Sequence, residues 1–96
     1  MIKECLRSKI NSSSGKLQPY IYSSIFELYC EGEIKVSANM VRDKCNSLNP
    51  RTPWAGRIPA ICNSMRNVLD CGAIIISDNR DFGDFTIMFS GGNQFE

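Results

Sequence analysis

The chain of 96 residues contains no histidine. Without an imidazole, neither a Ser-His nor a Cys-His nucleophile pair can form within it, and the commonest neutral metal ligand is missing. Any catalysis would have to depend on carboxylates, lysines or cysteines alone. The sequence therefore favours a protein that is not an enzyme and that needs no cofactor.

Cysteine pairs at metal-binding spacing are also missing. The chain has no Cys-x-x-Cys pair, and its two closest cysteines, Cys62 and Cys71, are nine residues apart. Structural zinc sites need closer pairs, and a disulfide framework is unusual in a chain without an export signal. We therefore expect no metal, and reduced cysteines packed as small apolar residues at Cys5, Cys30, Cys45, Cys62 and Cys71.

Long apolar runs are absent as well. The longest strictly apolar run, residues 73–76, is far too short to cross a bilayer. The N-terminal sequence MIKECLRSKIN lacks the apolar segment of a signal peptide. These absences predict a cytoplasmic protein with no membrane partner. With 43% apolar and 22% charged residues, the chain is expected to fold as one domain around one core.

The net charge is only +1, but the charges are unevenly distributed. Residues 34–66 carry six basic side chains against Asp43 alone, whereas residues 67–96 carry Arg80 against five acidic side chains. A basic middle third is typical of a surface that attracts phosphate groups. The alternative is a solvated surface on which the charges happen to cluster.

Apolar residues recur at helical spacing in three segments. The first predicted helix begins near Pro19, which suits a first turn, and ends at Gly32. The second, residues 38–48, follows a serine that can cap it. The third, residues 59–70, ends at Gly72. The predicted buried positions are Ile21, Ile25, Leu28 and Tyr29 in the first helix, Val41, Cys45 and Leu48 in the second, and Ile58, Ile61, Cys62, Met65 and Leu69 in the third.

The other segments indicate β-structure. Residues 33–36 alternate between polar and apolar side chains, and so do residues 85–89. Residues 73–77 are rich in isoleucine, and a loop of turn-forming residues joins them to residues 85–89. The sequence therefore predicts a short strand and, after the third helix, an antiparallel hairpin.

Helix, short strand, helix, turn, helix and hairpin is the element order of a winged helix. Over residues 18–90 the chain resembles the winged helix-turn-helix superfamily. The resemblance implies an α+β fold, a small winged-helix domain of three helices with a short strand and a C-terminal antiparallel β-hairpin wing. Residues 1–17 would then be an N-terminal arm and Ser/Gly loop, and residues 91–96 a C-terminal tail. The connection over residues 49–57 departs from the pattern, because it exceeds the usual turn of about three or four residues.

The resemblance implies that the third helix lies in the major groove of DNA. An asparagine amide can both donate to and accept from adenine, and an arginine can bind guanine through two hydrogen bonds. The side chains expected to contact bases are Asn63, Ser64, Arg66 and Asn67. Basic side chains on neighbouring segments would hold phosphates and fix the register. These are Lys35, Arg42, Lys44, Arg51, Arg57 and, in the wing, Arg80.

The leading hypothesis is a sequence-reading module for double-stranded DNA. It would belong to a transcriptional regulator or to the DNA-reading part of a viral, mobile-element or restriction system. Helix-turn-helix proteins often bind as pairs, so the N-terminal arm or the aromatic face of the first predicted helix could form a homodimer.

A second hypothesis is a winged helix that binds a protein instead of DNA. The predicted wing carries Asp78, Asp81 and Asp84, which would repel phosphates, and Phe82 at its tip could anchor a protein partner. Trp54 could be another anchor, although a single tryptophan in a short domain more often closes the edge of the core. The three carboxylates match no calcium-binding pattern and lie on one loop, so neither a metal site nor a nuclease is expected.

Overall fold

A computed structural model describes residues 2–79 and 84–90 of the chain. Over these residues it is an α+β protein with four α-helices, two 3-10 helices and three β-strands. The α-helices are α1 (Ile2–Ser12), α2 (Gln18–Cys30), α3 (Ala38–Leu48) and α4 (Ile58–Asn67). The 3-10 helices span Trp54–Arg57 and Leu69–Cys71, and the strands are β1 (Lys35–Ser37), β2 (Ala73–Asn79) and β3 (Asp84–Phe89).

The N-terminal segment departs most from the predicted architecture. The sequence predicts three helices and an N-terminal arm, whereas the described chain has a fourth helix, α1. Ile2 and Leu6 lie one turn apart on α1 and are both buried. The guanidinium of Arg7 lies 5.2 Å from the centre of the Phe26 ring on α2. The segment is therefore part of the core, because its apolar side chains pack against α2 instead of facing solvent.

The expectation that all cysteines are reduced is wrong. A disulfide joins Cys5 on α1 to Cys71 in the second 3-10 helix, across 66 residues of sequence. The other three cysteines are thiols, and the predicted burial of Cys45 and Cys62 is confirmed, while Cys30 is exposed. Burial raises the pKa of the Cys45 thiol, which lies 3.2 Å from the Ser24 hydroxyl. These two buried thiols pack as small apolar side chains, as expected.

The predicted apolar faces of the central helices are largely confirmed. Their buried side chains form one core with the sheet, but Leu48, at the end of α3, is 38% exposed. Ser37 caps α3 as predicted, because its hydroxyl accepts a hydrogen bond from the Met40 amide at 3.2 Å. Gly72 follows the second 3-10 helix with a φ of +106°, a conformation that favours glycine. Among the described residues, no helix has the length and apolar character needed to cross a membrane.

The three strands form one antiparallel sheet in the order β1-β3-β2. The predicted hairpin is confirmed, because β2 pairs with β3 in antiparallel register, and the short strand β1 pairs with the other edge of β3. Phe85, Ile87 and Phe89 alternate along β3 and bury one face of the sheet against the helices. A β-bulge between Ile75 and Ser77 interrupts the β2–β3 pairing.

The long connection between α3 and α4 is ordered by Trp54, at the start of its 3-10 helix. The Trp54 side chain is almost completely buried, and its indole nitrogen donates a hydrogen bond to the Asn49 carbonyl at 2.8 Å. Its ring meets Tyr20 of α2 edge-on, with ring centres 6.3 Å apart. The interpretation that Trp54 closes the edge of the core is therefore confirmed, and its position fixes where α4 begins.

Candidate nucleic-acid interface

Helix α4 presents polar side chains on the side that does not enter the core. Ile61 and Met65 are buried, whereas Asn63, Arg66 and Asn67 are exposed. Pro59 lies in the first turn, where its missing amide hydrogen is not needed. The helix is thus anchored by its apolar face, and its exposed residues belong to the predicted base-contacting set.

Ser64 does not share this exposure. Its side chain is only 3% exposed and lies on the side of α4 that turns toward the core. We therefore remove Ser64 from the candidate interface. The sequence pattern assigned it to the polar face because it predicted burial on one stripe of α4, whereas residues of α2 and of the preceding loop also lie beside it.

The Asn67 side chain is partly engaged within the fold. Its amide nitrogen donates a hydrogen bond to the Tyr22 hydroxyl of α2 at 3.1 Å. This contact orients the amide, because one of its donors is already used. Asn63 lies one turn earlier on the same helix and is exposed. Asn63 is thus the freer of the two amides for contacts with an external ligand.

Arg66 is held by the hairpin. Its guanidinium donates a hydrogen bond to the Asp78 carboxylate on β2 at 3.3 Å and lies 5.8 Å from the centre of the Phe85 ring on β3. Both side chains of the ion pair are partly solvent-exposed. Exposed ion pairs contribute little to stability and exchange readily, so Arg66 can leave Asp78 for another anion.

A shallow groove runs between α4 and the loop that joins α1 to α2. Its volume is about 350 Å³, and both polar and apolar side chains line it. From α4 it receives Asn63, Ser64 and Asn67, from the loop it receives Lys16, and from the start of α2 it receives Gln18. Lys16 was not among the predicted site residues, because nothing in the spacing of the sequence indicates that this loop lies beside α4.

Three of the predicted phosphate-contacting residues have exposed side chains without an ion pair to any described residue. Lys35 is on β1, and Arg51 and Arg57 lie in the connection that leads into α4. The ion pairs of the described chain involve other basic residues. The charges of Lys35, Arg51 and Arg57 are therefore available to an external anion.

The two predicted phosphate contacts on α3 are paired within the fold. Arg42 contacts the neighbouring Asp43 carboxylate at 3.2 Å, and Lys44 forms a short ion pair with Glu31. The hydrogen bond to Glu31 raises the pKa of Lys44, which stays protonated at neutral pH. Both residues could bind a phosphate only by exchanging these partners.

The predicted wing is described only in part. Arg80, Asp81 and Phe82 lie outside the described residues. Of the flanking carboxylates, Asp78 pairs with Arg66, and Asp84 accepts a hydrogen bond from the Ser77 hydroxyl at 2.9 Å. Both lie on the hairpin strands and hold charges that phosphates would avoid.

One cluster of potential metal ligands occurs within residues 2–79 and 84–90. It consists of Cys5, Cys71 and Asp70, whose ligand atoms lie within 4.8 Å of one another. The two sulfur atoms are bonded to each other, and the Asp70 carboxylate contacts the Lys9 ammonium at 3.0 Å. Because a disulfide provides no thiolate for a metal, this cluster is not a metal site in the oxidised protein.

The arrangement offers amide and guanidinium groups on one helix, with free basic side chains in the segment just before it. Such groups bind base edges and phosphates, and they provide no nucleophile or general base. Comparisons of the chain with protein-family models, with curated proteins and with solved structures found no match.

Proposed function

We propose that this domain is a winged helix that binds double-stranded DNA through α4. The sheet order β1-β3-β2 supports the proposal, because it sets a short strand beside a C-terminal hairpin, as in a winged helix. The run from α2 through β1, α3 and α4 to that hairpin provides the rest of the pattern. In this proposal, α1 is an addition that packs on the outside of the winged-helix unit.

The observation that carries the proposal is the position of α4. Its apolar side is fully used by the core, and yet Asn63 and Arg66 remain at the surface. Asparagine and arginine are the side chains that bind adenine and guanine through pairs of hydrogen bonds. We therefore propose Asn63 and Arg66 as base contacts. Asn67 is a third candidate, which would contact a base with the groups that its hydrogen bond to Tyr22 does not use, or by giving up that bond.

Phosphate binding is assigned first to Lys35, Arg51 and Arg57, whose charges are free of described partners. Arg51 and Arg57 lie in the connection that precedes α4. They can therefore bind DNA phosphates beside the major groove in which α4 would lie. Arg42 and Lys44 are weaker candidates, because each would first leave a carboxylate. The expected partner is duplex DNA, read by a transcriptional regulator or by the DNA-reading domain of a viral, mobile-element or restriction system.

Selection from a random duplex library tests the proposal directly. Enrichment of a short motif, with affinity for it that falls as salt rises, would support DNA reading. The proposal would be refuted if the protein did not bind duplex DNA of mixed sequence even at low salt. The protein should be kept oxidised, so that α1 stays linked to the rest of the fold.

Replacing Arg66 with alanine should weaken binding to the selected motif by about 1–3 kcal/mol and relax the motif at one position. The cause is the loss of a two-bond contact to a guanine. Competition titrations with the motif and with single-base variants measure both effects.

Arg66→Lys is the matched control, because lysine keeps the charge but cannot form the forked contact. It should retain non-specific binding and still lose preference at that position. Unchanged base preference in both variants would exclude Arg66 as a base contact. Thermal unfolding should accompany these titrations, since Arg66 also packs near Phe85.

Replacing Arg57 or Arg51 with alanine should weaken binding to all duplexes alike. Each change should also reduce the slope of log affinity against log salt by about one unit, because one fewer phosphate is neutralised. Salt titrations on specific and mixed DNA give the slopes.

Lys44→Ala provides the comparison for these two variants, because Lys44 is already paired with Glu31. We expect it to change the salt slope less than Arg57→Ala does. An equal or larger effect of Lys44→Ala would mean that α3, and not the connection before α4, faces the phosphate backbone.

Protein binding is the second candidate function. The ion pair between Arg66 and Asp78 favours protein binding, because Arg66 would have to give up this pair before it could contact DNA. The carboxylates on the hairpin strands also favour protein binding, since they repel phosphates. Failure of the library selection, with the fold intact, would move this function to first place.

A further inference from the structure

The strand β2 lies at an edge of the sheet and is unusually apolar. Its only sheet neighbour among the described residues is β3, so the backbone groups of its outer edge have no partner strand. Ile74, Ile75 and Ile76 are 50%, 37% and 42% exposed. Natural edge strands are usually protected by charged residues or proline, and residues 73–77 contain neither.

The exposed isoleucines lie on both faces of the sheet. Ile74 is opposite Met88, which is on the face turned away from the helices, and Ile75 is opposite the buried Ile87. A ligand that rests on one face would leave the other exposed. A strand added to the edge places its own side chains beside the isoleucines on both faces and also pairs the backbone groups of the outer edge.

We propose that β2 pairs with β2 of a second copy of this chain, in antiparallel orientation, so that the two sheets become one sheet of six strands. A two-fold axis at Ile75 would place Ile74 of each copy opposite Ile76 of the other. It would also place Ala73 opposite Ser77. Each side chain of the segment would then lie opposite one of similar size, so the same surface on both copies can form the interface, as a two-fold axis requires.

The charges near β2 favour a second copy over a charged peptide. Residues 73–77 are neutral, and the nearest carboxylates at either end are already paired, Asp78 with Arg66 and Asp70 with Lys9. Along the part of this edge that the structure describes, residues 73–77 offer a charged peptide no opposite charge. A second copy brings another neutral strand and no like-charge pair within the shared segment.

The β-bulge limits the length of the shared ladder. It interrupts the regular pairing between Ile75 and Ser77, and bulges twist an edge strand. The interface between the two copies is consequently short. We expect a dimer that dissociates on dilution, and the proposal does not depend on DNA binding.

Sedimentation velocity without DNA tests the proposal. The protein should be followed from about 1 μM to about 1 mM, the range over which a weak dimer dissociates. We expect a monomer that converts to a dimer as concentration rises. A monomer throughout this range would overturn the proposal. A non-reducing gel must show no covalent dimer through the exposed Cys30 thiol.

Ile74→Lys should raise the dimer Kd by at least about tenfold, because the two-fold axis places the new charge in the interface twice. Ile34→Lys is the matched control, since Ile34 is 46% exposed and lies just before β1, at the opposite edge of the sheet. It should leave the Kd unchanged. Equal effects of the two variants would overturn the proposal.

Hydrogen exchange of the unmodified protein provides a readout that needs no variant. Within residues 73–77, the amides that point away from β3 should exchange more slowly at high protein concentration than at low concentration, because the partner strand pairs them. The amides of β1 should show no such difference. Exchange in β2 that is independent of concentration would overturn the proposal even if a dimer forms.

Discussion

Replacing Cys5 and Cys71 together with serine is expected to lower the free energy of unfolding by about 4 kcal/mol. The bond closes a loop across 66 residues, so it removes many conformations of the unfolded chain. It also ties α1 to the residues that follow α4. A small domain has little stability in reserve, so a loss of this size would leave a substantial unfolded population.

Urea denaturation of the oxidised protein and of the double variant measures this loss. Cys30→Ser is the control, because Cys30 is exposed and makes no disulfide, so its change should stay within about 0.5 kcal/mol. Dithiothreitol should destabilise the unmodified protein and leave the double variant unaffected. A double variant as stable as the oxidised protein would contradict the role given to this bond.

Replacing Trp54 with alanine is expected to cost about 3–5 kcal/mol of stability. The indole is almost completely buried between α2 and the α3–α4 connection, so its removal leaves a large cavity. The Asn49 carbonyl also loses the closer of its two hydrogen-bond donors. Because this connection fixes where α4 begins, any remaining folded protein should also bind DNA more weakly.

Trp54→Phe separates these contributions. Phenylalanine keeps most of the apolar volume but cannot donate to Asn49, so we expect a clearly smaller loss than with alanine. Denaturant midpoints with unchanged slopes give both values. A negligible effect of Trp54→Ala would mean that the connection is ordered by other contacts.

The sequence predicted the central elements because their apolar residues follow clear periods. The three central helices and the hairpin correspond to α2, α3, α4 and β2–β3, and Ser37 caps α3 as predicted. Gly72 has the predicted left-handed conformation, but it ends the second 3-10 helix, because α4 already ends at Asn67. The terminal elements were harder. Ile2, Leu6 and Ile10 of α1 do recur at helical spacing, but a short helix is stabilised mainly by tertiary packing, so this pattern alone did not distinguish a core helix from an amphipathic arm.

The disulfide could not be predicted for a different reason. Cys5 and Cys71 are far apart in sequence, and they meet only because α1 packs beside the 3-10 helix Leu69–Cys71. Disulfides are unusual in chains without an export signal, but that frequency describes many proteins together and cannot identify a particular pair of neighbouring sulfur atoms.

For the candidate interface, the sequence identified the right helix but not all of its surroundings. Exposure of Asn63, Arg66 and Asn67 followed from the period of α4. Burial of Ser64 and the approach of Lys16 depend on the loop before α2, whose path is set by α1. The spacing of apolar residues predicts the one face of α4 that enters the core. It does not show that the α1–α2 loop also lies beside the helix, at Ser64.

The order in which the chain is synthesised gives the disulfide a further consequence. Cys5 leaves the ribosome first, and Cys30, Cys45 and Cys62 all emerge before its native partner. Two of these competitors, Cys45 and Cys62, become inaccessible once the core has formed. Correct pairing therefore requires the helices to pack before oxidation, and early oxidants should trap non-native pairs. In this order of events, the bond stabilises a fold that its other contacts have already selected.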